Sequence, residues 1–127
     1  MAKQIPCEGM AELEKIIAEE EKTASNIIVL FTGKEDPATG ASWCPDCVKA
    51  EPIIEKCVPK IPEGNVFIYC VVGDRPTWKD PQCIFRTHEK TKLKGIPTLL
   101  KWGTSESLNS DQCANADMVE MMFEELQ

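Results

Sequence analysis

The stretch Trp43-Cys44-Pro45-Asp46-Cys47 places two thiols three residues apart, after Asn26-Ile27-Ile28-Val29-Leu30-Phe31 and before a helical pattern over Val48 to Lys60. The upstream run is bulky at every position, as a strand covered on both faces must be, and it predicts a central strand over Ile27 to Phe31. The dithiol therefore falls at a strand-to-helix junction. Residues three apart at the start of a helix share one face. Unpaired amide hydrogens and the positive end of the helix dipole gather at that first turn and favour an anion. A thiolate is thus stabilised over the thiol. Since the thiolate is the attacking species, Cys44 is the expected nucleophile. Cys47, one turn deeper, is the thiol placed to resolve a mixed disulfide. Pro45 and Asp46, between them, set how well the helix start stabilises the thiolate and so tune the reduction potential.

The rest of the composition narrows the setting. A chain of 127 residues, 43% apolar and 28% charged, is expected to form one soluble globular domain over residues 1–127. A formal charge of -7 argues against nucleic acid or an anionic membrane as the main partner. Met1 to Cys7 contains no apolar core of a secretory signal, and no apolar run approaches a membrane span. The seven cysteines are odd in number and irregularly spaced, unlike the disulfide framework of a secreted scaffold. The expected location is the cytosol, and with no evident oligomerisation face the expected state is a monomer. Structural zinc takes four ligands, usually as two close pairs. Here one close pair stands beside five single cysteines and one histidine, His88, so no metal site is expected.

Along the chain, Met10, Leu13, Ile16 and Ile17 give an amphipathic helix over Met10 to Lys22, with a short strand before it near Gln4. Thr32 to Ser42 reads as a loop punctuated by Gly33, Pro37 and Gly40. Pro52 lacks an amide hydrogen and should kink the helix after the dithiol. Asn65 to Val72 is the next strand, Gly73 to Pro81 a polar connection containing Trp78, and Gln82 to Glu89 a short helix. Thr98 to Trp102 and Ser107-Leu108 form a hairpin. Met118, Val119, Met122, Phe123 and Leu126 line a last helix. Strands alternating with helices and ending in a hairpin are the pattern of an α/β layered domain.

Gly95-Ile96-Pro97-Thr98 is a second functional signal. An Ile-Pro bond just before a strand can be cis, and the backbone groups of Ile96 can hold an extended substrate like an added strand. Trp43 either covers the reactive sulfur with a flat apolar contact or fills an edge of the core. Cys70 reads as a small core residue. Cys7, Cys57, Cys83 and Cys113 read as surface thiols or core filler, and spacing alone does not establish a second disulfide among them. His88, among Arg86, Glu89 and Lys90, reads as solvated surface. Gly33 to Gly40 lacks the ending of a phosphate loop.

Trp43-Cys44-x-x-Cys47, Pro52 five residues after Cys47, and Gly95-Ile96-Pro97-Thr98 together resemble the thioredoxin family across nearly the whole chain. Phe31-Thr32-Gly33, Ser42 to Cys47, Val66-Phe67-Ile68-Tyr69-Cys70 and Trp78-Lys79-Asp80-Pro81 are similar, more narrowly, to the thioredoxin domain-containing protein 17 family. The resemblance implies a thioredoxin-like fold, with a central mixed β-sheet flanked by helices. It implies a cytosolic protein-disulfide reductase in which Cys44 and Cys47 cycle between dithiol and disulfide, with Trp43, Ile96 and Pro97 at the substrate. No bound cofactor is implied; electrons would come from NADPH through thioredoxin reductase. Some peroxide reduction and a preference for small disulfides such as cystine, beside selected protein disulfides, are implied as well.

Two departures from ordinary thioredoxin bear on that narrowing. Leu30 stands where thioredoxin carries a buried carboxylate, and Tyr69, by looser alignment, where a lysine is usual. Asp46 is then the nearest substitute proton acceptor, although its charge also opposes ionisation of Cys44. Thr32 to Ser42 and the connection around Trp78 are longer than in thioredoxin and should narrow access to the dithiol. Two other readings fit the same motif: a binding protein switched by its dithiol, and a glutathione-dependent oxidoreductase of glutaredoxin type.

Overall fold

The computed structural model describes residues 2–126. Five strands form one sheet in the order β1-β3-β2-β4-β5. They are β1 (Lys3–Glu8), β2 (Ile27–Thr32), β3 (Val66–Val71), β4 (Thr98–Lys101) and β5 (Ser107–Leu108). β1 and β2 both run parallel to β3, whereas β4 is antiparallel to β2 and β5 to β4. The mixed sheet is flanked by α1 (Met10–Glu20), α2 (Pro45–Cys57), α3 (Arg75–Lys79), α4 (Ile84–Thr87), α5 (Ser110–Cys113) and α6 (Ala116–Glu124). This is the thioredoxin-like α/β architecture implied by the sequence.

Strand alternation divides the apolar runs between two core layers. Ile27, Val29 and Phe31 of β2, with Val66, Ile68 and Cys70 of β3, face the layer that holds Met10, Leu13 and Ile17 of α1. Ile28 and Leu30, with Phe67, face Ala50 and Ile54 of α2 and Val119 and Phe123 of α6. Phe31 stacks edge-on against Phe85, and Phe67 against Phe123, so one aromatic pair anchors each layer. β2 lies between β3 and β4, and all six of its residues are buried. The chain leaving its carboxyl end is thereby fixed, and that end leads to the dithiol.

Several elements differ from the sequence expectation. The helix after the dithiol starts at Pro45, not Val48, because Cys44 caps it and proline suits a first-turn position whose amide would be unpaired anyway. Pro52 lies within an unbroken helical span, which ends in a 3-10 turn over Val58–Lys60. The Gly73 to Pro81 connection is partly helical: Asp74 caps α3, and Trp78 is a core residue, 3% exposed, with the Arg86 guanidinium stacked 3.9 Å over its ring. The short helix α5 escapes hydrophobic patterning because a reciprocal cap between Asn109 and Gln112 starts it. His88 is half-buried, its Nε2 3.7 Å from a Glu14 carboxylate oxygen and its Nδ1 accepting from the Lys90 amide. Of the two readings of Cys7, Cys57, Cys83 and Cys113, surface thiol or core filler, the second holds: all four are buried.

Candidate active site

The dithiol sits where β2 hands over to α2. Cys44 is the N-cap of α2, and its Sγ accepts the Cys47 backbone N–H at 3.3 Å. Cys44 is 5% exposed and Cys47 has no exposure, so Cys44 is the more accessible of the two. The Cys47 thiol donates to the Cys44 sulfur and, with the amide hydrogens at the start of α2, brings the Cys44 pKa down from 9.0 to about 7. Burial and the Asp46 carboxylate oppose this and lose. The effect of Asp46 on Cys44, open in the sequence, is thus unfavourable but minor. The same thiol–thiol hydrogen bond, with burial, pushes Cys47 well above the ordinary thiol range. One thiol is ready to ionise near neutrality and its neighbour holds its proton.

Of the remaining predicted site residues, Ile96 reaches this pair directly. The Ile96–Pro97 peptide bond is cis. The Ile96 carbonyl accepts a long contact from Cys44 Sγ, 3.8 Å, and a hydrogen bond from Ser110 Oγ, 3.0 Å. Trp43 is half-buried on the core layer, and its Nε1 donates to the Gly73 carbonyl at 2.9 Å. It therefore closes a core edge, with its ring lying against Gly33. Ser42 Oγ donates to the Gly33 carbonyl at 2.8 Å and accepts from the Cys44 amide at 3.2 Å. Gly33 is what lets these groups approach: a Cβ there would come within 2.9 Å of both Ser42 Oγ and the Trp43 ring. Pro45 and Asp46 are exposed in the first turn of α2.

A group missed in the sequence lies behind Cys47. The Thr32 side chain is a hydrogen-bond partner of Cys47, and its Oγ1 donates to Glu51 Oε2 at 3.0 Å. The other Glu51 oxygen accepts from the Tyr69 hydroxyl. Burial, then the Glu51 carboxylate, holds the Tyr69 phenol protonated, above its ordinary range. Thr32 is wholly buried and Glu51 half-buried, so the carboxylate sits inside the fold, whereas Asp46 is exposed. The signal was present: Glu51 follows Cys47 by four residues, one helical turn, on the same face.

Beside Trp43, the loop after β2 and the start of α3 enclose a cavity of about 400 Å³. Charges of both signs line it, Lys34 and Arg75 against Glu35, Asp36 and Asp74. Among the described residues no three His, Cys, Asp or Glu side chains are grouped as a metal site needs, and no helix is long and apolar enough to cross a membrane.

With this geometry in hand, comparison with known proteins is specific. The model of the thioredoxin domain of thioredoxin domain-containing protein 17-like proteins matches residues 6–125. The chain is 45% identical to thioredoxin domain-containing protein 17 of Danio rerio, covering 96% of this chain and 95% of that protein. It is 43% identical to the Homo sapiens protein of that name over the same shares of each chain. With the thioredoxin-like protein Clot of Arabidopsis thaliana it shares 41% identity over 72% of this chain and 69% of that protein. A half-buried Cys-Pro-Asp-Cys junction beside a cis-proline loop, in a chain so matched, belongs to the thioredoxin domain-containing protein 17 family.

Proposed function

We propose that the protein is a thiol–disulfide reductase acting on small disulfides and on protein disulfides that can enter past the Trp43 loop. The observation that carries this is the Cys44 sulfur at the start of α2, accepting from the Cys47 amide and ionising near neutral pH. The Cys44 thiolate attacks one sulfur of the substrate, the substrate S–S bond breaks, and one thiol leaves. Cys47 then gives up its proton and attacks the Cys44 sulfur. The second substrate thiol is released and a Cys44–Cys47 disulfide remains. The substrate gains the two electrons that the dithiol loses.

Glu51, reached through the Thr32 hydroxyl, is the acceptor for the Cys47 proton in this scheme, in preference to the exposed Asp46. Glu51→Gln keeps the shape and most of the hydrogen bonds but removes the base. Mixed-disulfide formation should proceed at its usual rate, while its resolution slows on the order of tenfold, less than the loss of a directly acting base. Stopped-flow traces across pH check this, because without the carboxylate resolution should gain a steeper dependence on pH.

Electron return from NADPH through thioredoxin reductase, a cytosolic monomer, and hydroperoxide reduction as a side activity complete the reading. The mixed-charge cavity beside Trp43 suits a small zwitterionic disulfide such as cystine. NADPH consumption with thioredoxin reductase, cystine and insulin is the test. Fast turnover of cystine with little of insulin is expected, and shortening the loop between Gly33 and Ser42 should raise insulin turnover. Equal turnover of both substrates would refute restricted access; no turnover of either would refute the reductase.

A further inference from the structure

The sheet builds a second pair of thiols away from α2. Parallel pairing of β1 with β3 puts Cys7 directly beside Cys70 in register, and both side chains enter the core layer under α1. Neighbouring strands are about 4.7–4.9 Å apart, inside the range of about 4.4–6.8 Å that disulfide-bonded Cα atoms span. Each thiol is felt by the other: Cys70 favours ionisation of Cys7, and Cys7 disfavours that of Cys70. The other thiols outside the active site are placed differently: Cys113 Sγ donates to the Leu108 carbonyl at 3.5 Å, and Cys57 Sγ lies 4.0 Å from the Ala116 carbonyl.

The pair is asymmetric in the same sense as Cys44 and Cys47. Cys70 lies on the interior strand β3 with no exposure, whereas Cys7 lies on the edge strand β1 and is 5% exposed. The neighbouring Cys70 thiol holds Cys7 below the ordinary thiol range, against burial and the Glu12 carboxylate. Cys7 in turn pushes Cys70 far above that range. One sulfur is reachable and inclined to ionise; the other, buried, retains a proton beside it.

We propose that Cys7 and Cys70 are a second redox-active dithiol, oxidised by hydroperoxides to a disulfide that clamps the edge strand β1 to β3. The Cys7 thiolate attacks the hydroperoxide, the O–O bond breaks, and Cys7 becomes a sulfenic acid as the alcohol, or water, departs. The Cys70 sulfur then displaces the hydroxyl of that sulfenic acid, which leaves as water, giving the disulfide. Two electrons and two protons pass from the dithiol to the oxidant. A hydroperoxide is small enough for a residue of such slight exposure, and β1 is bonded on one side only, so it opens more readily than the interior strand β3. The new bond encloses α1, β2 and α2, and so restricts the unfolded chain over that whole length.

The test uses the full chain carrying Cys44→Ser and Cys47→Ser, which leaves five cysteines and keeps the outcome independent of the proposed reductase. It is exposed to hydrogen peroxide, alkylated under denaturing conditions and digested. Loss of two reactive thiols, a peptide joining Cys7 to Cys70, recovery of both thiols with dithiothreitol, and an upward shift in Tm are expected. Adding Cys7→Val, an apolar β-former at an edge position, should leave every remaining thiol reactive after peroxide, with an unchanged circular dichroism spectrum. Cys70→Ala should give no linked peptide: Cys7 alone loses its reactive thiol, as a sulfenic acid that dithiothreitol reverses. Five reactive thiols after peroxide, sulfinic acid at Cys7 with Cys70 free, or a link among Cys57, Cys83 and Cys113 would each overturn the proposal.

Discussion

Cys44→Ser is expected to lower disulfide turnover on the order of 10³-fold or more while leaving the fold intact. The activity is lost because a serine hydroxyl stays protonated where the thiol ionises near neutrality, so no nucleophile remains. The fold survives because the Cys44 position is the N-cap of α2 and its side chain accepts the Cys47 amide hydrogen. Serine is among the preferred residues for that task. Thermal unfolding should therefore show an unchanged or slightly higher Tm. A variant that loses activity together with its Tm would indicate that the thiol supports the structure and not the chemistry.

Cys47→Ser is expected to stop the reaction halfway. A serine hydroxyl can still donate to the Cys44 sulfur and still meet Thr32, so Cys44 should continue to ionise and to attack. With no second sulfur, the mixed disulfide accumulates and turnover falls on the order of 10²- to 10³-fold. Intact-mass measurement after mixing with cystine should show one half-cystine per chain, on Cys44. Turnover sustained by glutathione in this variant would instead identify a glutaredoxin-type enzyme. Tight binding of a protein partner in one redox state, without turnover in the wild-type protein, would identify a redox switch.

The fold was legible where a residue type has few alternative uses. Ile27 to Phe31 is bulky at every position, and the structure buries each one between two layers. Gly95 to Thr98 signalled a loop at the dithiol, and the Ile96 carbonyl does approach Cys44. What escaped depends on residues far apart in sequence. Trp78, within a polar stretch, looks like a loop aromatic until Phe85, Arg86 and the core layer close around it. Cys7 and Cys70 become neighbours only through the register of β1 on β3, which no local pattern encodes. α5 depends on two polar side chains capping each other, with a single turn of helix to show for it. Glu51 was hidden for another reason. An acidic residue on an amphipathic helix normally faces water, and its burial follows from Tyr69 and Thr32 reaching it from two different strands.

The reductase reading depends most on Cys44 being a thiolate near neutral pH. The most direct measurement is the rate of Cys44 alkylation by iodoacetamide as a function of pH, read by mass spectrometry of the Cys44 peptide. The expected profile rises about tenfold per pH unit on the acid side and levels off above about 7. Asp46→Asn should move that midpoint slightly lower, because removing the carboxylate removes one of the opposing effects. A midpoint near the ordinary thiol value of 9.0, unmoved by Asp46→Asn, would contradict the stabilisation of Cys44 by α2 and Cys47.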